Sequence, residues 1–203
     1  MIKNVIFDFG QVLIHFEPEY MVGRFVTDPE DSKLLQEVVF DRLYWDELDA
    51  GTITDEEVLC RCRERLPERL HAVAGDIYYN WIYNIPEFDG MRRLVQEVKR
   101  TQGVNIFLLS NASKYLADHK GEIPILDEFE NCVFSAVCGF VKPDRAIFEH
   151  LCKRFGIKAS ESVFIDDLPK NIAGVENAGI KGYLFDGDVG KLRIRLLELL
   201  KTK

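Results

Sequence analysis

The chain has 203 residues, of which 47% are hydrophobic and 30% are charged, and its formal net charge is −8 at pH 7. This composition is ordinary for a globular enzyme, and the length allows one sizeable core with a small appended unit. The negative charge argues against nucleic acid or an anionic membrane as the main partner, but it leaves an anionic small molecule open.

The sequence carries neither an apolar run of about 18 residues nor a basic N-terminal segment followed by an apolar one. We therefore expect no membrane span, no signal peptide and a cytoplasmic location. The spacing of the cysteines matches no common zinc site, and an odd number suits reduced thiols. The five cysteines are Cys60, Cys62, Cys132, Cys138 and Cys152.

The first predicted element is a buried strand from Lys3 to Phe9, because this run is almost wholly apolar. The strand delivers Asp8 near its carboxyl end, where ligands bind in open parallel sheets. Gly10 follows two residues later. A glycine here is expected to permit a tight turn and to let backbone carbonyls approach a bound group closely.

A helical segment is predicted from about residue 15 to residue 84. Apolar residues recur there at intervals of three and four, as in the run from Glu19 to about Leu48. A helix start is indicated at residues 27–30, where proline occupies the first turn. Thr54 and Glu57 form a capping box, with further helices predicted over residues 58–65 and 71–82.

From residue 86 onward strands and helices alternate, which predicts βαβ units and a parallel sheet. The fold class is therefore α/β, a doubly wound parallel sheet with a small helical domain. Residues 121–129 are expected to be irregular. The predicted strands cover 104–109, 131–137, 162–165 and 181–185, and the predicted helices cover 91–101, 112–120, 143–155, 169–177 and 191–200.

Polar side chains follow four of the predicted strands, and parallel strands would bring them to one edge of the sheet. A pair of adjacent aspartates after a buried strand is unusual, because like charges repel unless a cation neutralises them. The polar residues are Asp8 after the first strand, Ser110 and Asn111 after the second, Lys142 after the third, and Asp166 and Asp167 after the fourth.

These groups suit phosphoryl transfer. Carboxylate and carbonyl oxygens are the ligands that Mg²⁺ prefers. Ser110, with the backbone amides of a helix start, can hold a phosphate. Lys142 provides a positive charge for the phosphate oxygens and favours the ionised form of Asp8. Asp8 would then attack phosphorus to give an aspartyl-phosphate, which water hydrolyses.

The motifs VIFDFGQVL, FLLSNAS, VKPD and VFIDDLPKN resemble, in order and spacing, those of the haloacid dehalogenase superfamily of aspartyl-phosphate hydrolases. The resemblance covers nearly the whole chain. It implies a Rossmann-type core domain of residues 1–14 and 85–203, and it identifies the helical insert, residues 15–84, as a cap domain of the superfamily's first type. We call residues 15–84 the cap.

By this resemblance Asp8 is the nucleophile, and Ser110, Asn111 and Lys142 bind the phosphate. The same resemblance implies that Mg²⁺ is held by Asp8, the Gly10 backbone carbonyl, Asp167 directly, and Asp166 directly or through water.

One position departs from most phosphatases of the superfamily, which carry a second aspartate two residues after the nucleophile as general acid and base. Gly10 stands there, which resembles the subgroup that includes bacterial glucose-1-phosphate phosphatase. A good leaving group, such as an anomeric oxygen or an acyl phosphate, needs protonation less. His15 or Glu17, at the start of the cap, is a candidate substitute acid, and the alternative is that His15 only packs at the hinge.

Substrate specificity is expected to come from the cap. Aromatic side chains with polar tips suit a sugar-sized ligand, although aromatic residues at helical spacing also form helix cores. The candidates are Tyr44, Trp45, Asp46, Glu47, Tyr78, Tyr79, Trp81 and Tyr83.

The sequence thus predicts a Mg²⁺-dependent phosphatase, monomeric or homodimeric, that acts on a small phosphorylated metabolite, with a sugar phosphate favoured. Within the superfamily, a phosphomutase or a dehalogenase is the alternative. A non-catalytic phosphate-binding or regulatory protein is another. A two-component receiver domain fits less well, because receivers place the acidic pair before the phosphate acceptor, are shorter and lack a cap.

Overall fold

The computed structural model of the chain describes residues 1–201. A five-stranded sheet forms its centre, with strands β1 (Asn4–Phe7), β2 (Asn105–Ser110), β3 (Cys132–Phe134), β4 (Ser162–Asp166) and β5 (Lys181–Leu184). All four pairings are parallel, and the strand order is β3-β2-β1-β4-β5. The predicted α/β fold is therefore confirmed.

Eleven α-helices are found among residues 1–201. Five lie between residues 18 and 80: α1 (Pro18–Gly23), α2 (Pro29–Val39), α3 (Arg42–Asp49), α4 (Asp55–Arg65) and α5 (His71–Asn80). The other six are α6 (Met91–Lys99), α7 (Lys114–Asp118), α8 (Ser135–Cys138), α9 (Arg145–Phe155), α10 (Pro169–Asn177) and α11 (Val189–Lys201).

Both faces of the sheet are buried at the central strands β2, β1 and β4, as their unbroken apolar runs predict, whereas the edge strand β5 contains no buried residue. Val5 and Phe7 of β1 belong to a large core that continues into the cap, whereas Ile6 points to the opposite face and joins a smaller core with α9 and α10. Because successive side chains of a strand alternate between faces, one four-residue strand contributes to both layers. The division of the chain into core and cap domains stays a prediction.

The capping box that starts α4 is present, with the Thr54 hydroxyl and the Glu57 carboxylate each satisfying the other's backbone amide. The predicted third strand is too long. β3 ends at Phe134 and α8 begins at Ser135, where the Ser135 hydroxyl accepts a hydrogen bond from the Ala112 backbone amide at 2.9 Å. The segment at 121–129, expected to be irregular, contains short 3₁₀ turns.

The strand order changes direction beside β1: β2 and β3 lie on one side of it, and β4 and β5 on the other. In open α/β sheets, ligands bind in the crevice past the carboxyl ends of the strands at such a point. Asp8 follows β1, and Asp166 ends the neighbouring strand β4. Within residues 1–201, none of the helices has both the length and the apolar character needed to cross a bilayer.

Candidate active site

Asp8 follows β1 directly and is held by the neighbouring strand, because its backbone amide donates to the Ile165 carbonyl at 2.9 Å. The residue is only 7% exposed and lines a cleft between the sheet edge and the cap. Burial raises the pKa of Asp8 to about 7, and the neighbouring Lys142 opposes that rise. A positive charge beside the carboxyl group is therefore needed to keep it ionised.

Lys142 supplies that charge from the loop that precedes α9. Its Nζ atom lies 2.7 Å from Asp8 Oδ1 and 2.8 Å from Asp166 Oδ2, in a fully buried ion-pair network. Burial alone would lower the pKa of Lys142, but the two carboxylates raise it above its usual value. An ammonium group has three donors, so two contacts to carboxylates leave one for a phosphate oxygen.

Asp166 is completely buried and its carboxylate is fixed from several directions. Besides Lys142, it accepts hydrogen bonds from the Leu168 backbone amide at 2.9 Å and from Asn171 Nδ2 at 2.9 and 3.0 Å. The sequence analysis gave Asn171 no role, although it lies inside the quoted VFIDDLPKN motif. Its position in the first turn of α10, five residues after Asp166, was the available signal.

Asp8, Asp166 and Asp167 bring one carboxylate oxygen each to within 4.8 Å of one another. Asp167 is half-buried and lines the cleft, and burial, then the charge of Asp166, raises the pKa of its carboxyl group. A close group of three carboxylates with only one lysine among them fits a hard divalent cation such as Mg²⁺.

Gly10 lines the same cleft, but it is not the residue that permits the tight turn. The left-handed residue of this turn is Gln11, with φ of 56°, rather than Gly10. A Cβ atom built on Gly10 would come no closer than 3.9 Å to another side chain, that of Phe16. The turn therefore does not require glycine at this position.

Ser110 and Asn111, at the end of β2, also reach the cleft. The sequence predicts that Asn111 binds the phosphate, whereas its side chain hydrogen-bonds to the backbone of Lys142. Its Nδ2 donates to the Lys142 carbonyl at 3.0 Å, and its Oδ1 accepts from the Lys142 amide at 2.7 Å. Asn111 thus fixes the backbone from which the lysine reaches Asp8.

The Lys142 loop is also held by α10. A Cβ atom built on Gly174 would lie 2.3 Å from the Pro143 carbonyl oxygen, so only glycine permits this approach of helix and loop.

The cap forms the other wall of the cleft, which encloses about 250 Å³. Three aromatic and two charged side chains line it from that side: Phe16, Trp45, Trp81, Arg42 and Asp49. Of the predicted specificity residues, only Trp45 and Trp81 line this cleft. Phe16, Arg42 and Asp49 were not predicted, because single residues of these types have no distinctive spacing in the sequence.

The remaining cap candidates do not reach the cleft. Tyr44 and Tyr78 are buried within the cap, where Tyr78 donates to Asp55 at 2.7 Å. Asp46 and Glu47 are engaged in ion pairs with Arg42 and Arg61, respectively, and Tyr79 and Tyr83 likewise lie outside the cleft lining. These residues therefore belong to the helix core and surface of the cap.

His15 and Glu17, the proposed substitute acids, do not line the cleft either. The His15 ring stacks on Phe88, with 3.8 Å between ring centroids, and its Nδ1 lies 3.7 Å from Glu17. His15 therefore packs at the hinge, and the structure offers no support for an acid at these two positions.

The sequence matches one family model and is similar to known phosphatases. Residues 2–179 match the model of the haloacid dehalogenase-like hydrolases. The chain is 24% identical over 184 residues to a sesquiterpene phosphatase of Aspergillus oryzae, covering 89% of this chain and 88% of the relative. It is 26% identical over 192 residues to a D-ribitol-5-phosphate phosphatase of Bacteroides thetaiotaomicron, covering 85% and 86%, respectively.

Among solved structures, a similar fold occurs in an enzyme of the same family from Bacteroides thetaiotaomicron, crystallised with magnesium and inorganic phosphate. The TM-score is 0.70 at 22% sequence identity, and the superposition covers 95% of this chain and 99% of that one. At this identity the likeness supports the fold alone.

Proposed function

Because the chain belongs to the haloacid dehalogenase-like hydrolase family, we propose that it is a Mg²⁺-dependent phosphatase that forms an aspartyl-phosphate on Asp8. One observation carries the proposal. Lys142 bridges Asp8 and Asp166 at 2.7 and 2.8 Å, while Asp8, Asp166 and Asp167 converge as a carboxylate cluster. A nucleophile, a phosphate-binding cation and a metal site thus meet at one edge of the sheet.

These contacts support a role for each residue in the proposed reaction. Asp8 attacks phosphorus, and Lys142 turns its third donor toward a phosphate oxygen while it keeps Asp8 ionised. Ser110 donates its hydroxyl hydrogen to the phosphate. The Asn111 side chain holds the Lys142 loop, and its backbone helps to bind the phosphate. Asp8, Asp167, Asp166 and the Gly10 carbonyl are the groups that would hold Mg²⁺. When bound, the ion neutralises charge on the transferring phosphoryl group.

The substrate is a small phosphorylated molecule. The cleft volume of about 250 Å³ lies below the roughly 300–1,000 Å³ of sites for drug-sized ligands. Trp45 and Trp81 offer flat apolar surfaces, and Arg42 offers hydrogen-bond donors, a combination that suits a sugar or polyol phosphate. The two phosphatases that resemble this chain are named for a sesquiterpene and for D-ribitol 5-phosphate, so both classes belong in a substrate screen.

The test is phosphate release from 4-nitrophenyl phosphate and from a panel of sugar, polyol and prenyl phosphates, with and without Mg²⁺. Asp8→Asn should lower turnover by about 10⁴-fold or more, since it removes the nucleophile, and should retain its fold. Acid quenching of the wild-type protein should trap label from ³²P-substrate on Asp8. Mg²⁺ should raise the melting temperature of wild type, and Asp167→Asn should weaken that shift.

Other outcomes would identify the alternatives. Halide release from 2-haloacids without phosphate release would indicate a dehalogenase. Phosphoryl return to a second hydroxyl of the substrate would indicate a mutase. Binding of phosphate without any turnover would indicate a regulatory protein and would contradict the proposed function.

A further inference from the structure

The proposed reaction leaves one requirement unassigned, namely a proton for the departing oxygen. Gly10 has no ionisable side chain, and His15 and Glu17 do not line the cleft. Among residues 1–201, the cleft lining contains three carboxyl groups, on Asp8, Asp167 and Asp49. The first two belong to the nucleophile and the metal cluster, which leaves Asp49.

Asp49 is the last residue of α3 and lies on the cap side of the cleft. It is only 7% exposed. Within the described part of the chain, its carboxyl group makes neither a hydrogen bond nor an ion pair, and its oxygens are open to the cleft, because the fully enclosed side-chain atoms without a partner are those of His150 and Asn171. A buried carboxyl group that faces a cleft without a partner is available to a ligand.

The position of Asp49 is fixed by contact between the cap and the core. Gly51, two residues later, has φ of +70°, and a Cβ atom built on it would lie 3.0 Å from the Ala136 carbonyl oxygen. This close approach seats the carboxyl end of α3 directly on α8. Asp49 is therefore held over the core rather than at the outer surface of the cap.

The surroundings of Asp49 keep a substantial fraction of its carboxyl group protonated at neutral pH. Burial raises the pKa of Asp49 to about 7, and Asp46 adds to that rise, whereas Arg42 and Lys142 oppose it. The cleft wall beside it is aromatic, with Trp45, Trp81 and Phe16. A general acid is most effective when its pKa lies near the working pH.

We propose that Asp49 is the general acid and base of this enzyme and takes the place of the missing aspartate at position 10. This inference rests on the proposed phosphatase function and assigns a further catalytic residue to it. It is carried by the buried, unpartnered carboxyl group of Asp49 in the cleft that contains Asp8.

An Asp8 carboxylate oxygen forms a bond to phosphorus, the bond from phosphorus to the leaving oxygen breaks, and that oxygen takes its electron pair and the proton of Asp49. Asp49, now a carboxylate, then removes a proton from the attacking water. The water oxygen bonds to phosphorus, and the acyl-phosphate bond breaks with its electron pair returning to the Asp8 carboxylate.

The experiment compares kcat/KM for wild type and Asp49→Asn across phosphate monoesters whose leaving groups range from nitrophenols to simple alcohols. Alkyl phosphates should lose about 10²–10⁴-fold in the variant, the usual contribution of general acid catalysis, whereas 4-nitrophenyl phosphate should change less than about threefold. Glu47→Gln is the matched control, because it makes the same change on the same helix outside the cleft.

A second measurement separates catalysis from a structural role. With 4-nitrophenyl phosphate, Asp49→Asn should keep kcat/KM but lower kcat, because hydrolysis of the phosphoenzyme then lacks its base. A burst of nitrophenolate equal to the enzyme concentration should appear. A purely structural defect would instead lower all substrates alike and give no burst.

Two further variants strengthen the test. Gly10→Asp in the Asp49→Asn background should restore alkyl phosphate hydrolysis, since Gly10 has room for a Cβ atom. If Asp49→Asn does not fold, Gly51→Ala is used instead. Its added methyl group should push the end of α3 away from Ala136 and produce the same selective loss of activity on alkyl phosphates.

These measurements distinguish a failure of the proposed phosphatase function from a failure of the Asp49 assignment. An absence of turnover by wild type on any phosphate ester would contradict the proposed function itself. If wild type is active but a folded Asp49→Asn loses activity uniformly across leaving groups, or loses none, the assignment of Asp49 is overturned while the phosphatase function stands.

Discussion

The two walls of the cleft are built differently. On the core side, Lys142 joins Asp8 and Asp166, and Asn171 and a backbone amide complete the partners of Asp166. On the cap side, the walls are mainly aromatic, and the buried carboxyl group of Asp49 makes no hydrogen bond within residues 1–201.

This difference separates two tasks. A fully paired polar network is rigid and holds its groups in one geometry, which suits chemistry that is the same for every phosphate ester. The cap wall meets the part of the substrate that varies, namely the leaving group. The core side should therefore determine whether the enzyme works at all, and the cap side should determine which leaving groups depart readily.

The largest loss of stability and activity is expected from Lys142→Met on the core side. This variant removes the charge but nearly keeps the length of the side chain. Asp8 and Asp166 would then be buried without a counter-charge, a change that costs about 3–5 kcal/mol for a broken buried pair. Hydrolysis of every ester should fall at least tenfold, whatever the leaving group. Urea unfolding and a substrate series measure the two effects.

Lys33→Met, at an exposed position in α2 of the cap, is the control for loss of a lysine charge. Exposed ion pairs contribute little to stability, so this variant should match wild type in both measurements. A Lys142→Met protein as stable and active as the control would show that the lysine does not hold the core side together.

The core side was largely predictable from the sequence, and the cap side was not. Asp8 follows β1, Ser110 ends β2 and Asp166 ends β4, while Lys142 comes after β3 and the short helix α8. The topology of a parallel sheet carries its strand ends to a common edge. No comparable rule brings Asp49 and Trp81 together. Asp49 ends α3 and Trp81 follows α5. Only the packing of these helices on each other and on the core selects the residues that face the cleft.

The same reasoning explains what the sequence left open or missed. The sequence left His15 as either a substitute acid or a residue packed at the hinge, because a short sequence distance does not fix where a ring points, and in the structure the ring stacks on Phe88. Asn171 was overlooked because its role depends on α10 turning its first residues toward Asp166. Sequence reasoning therefore succeeds where backbone topology sets the position of a residue, and fails where side-chain packing does.

A smaller effect is expected from Asp49→Asn on the pH dependence of stability, and it concerns a residue of the cap side alone. The folded protein raises the pKa of Asp49 to about 7, above its ordinary value of 3.8. Between these values the folded state binds more protons than the unfolded state, so stability falls as pH rises through about 4 to 7 and levels off above that range. Asp49→Asn removes this contribution.

The measurement is the free energy of unfolding of both proteins from pH 4.5 to 8 at saturating Mg²⁺, so that the carboxylate cluster is treated alike in each. Stability of wild type relative to Asp49→Asn should decrease by on the order of 3 kcal/mol across this range. Arg42, Asp46 and Lys142 are the charges acting on Asp49 and are unchanged in both proteins. Parallel curves would mean that Asp49 is ionised and solvated in the fold.

The smallest effect comes from two helical glycines, one on each side. A Cβ atom on Gly174 in α10 would lie 2.3 Å from the Pro143 carbonyl oxygen, whereas one on Gly75 in α5 of the cap would have no heavy atom within 4 Å. Gly174→Ala should therefore destabilise the protein by about 1–3 kcal/mol through overpacking. It should also lower activity, because the displaced loop carries Lys142.

Gly75→Ala should instead stabilise the protein by about 0.5–1 kcal/mol, since alanine favours the helix and meets no obstacle. Thermal unfolding and kcat/KM for 4-nitrophenyl phosphate measure both variants. Opposite signs in stability, with activity lost only in Gly174→Ala, would show that close contact around the Lys142 loop is needed on the core side, whereas α5 tolerates change. Equal behaviour of the two variants would mean that α10 can move away from Pro143 at little cost and that the core wall is less rigid than its contacts imply.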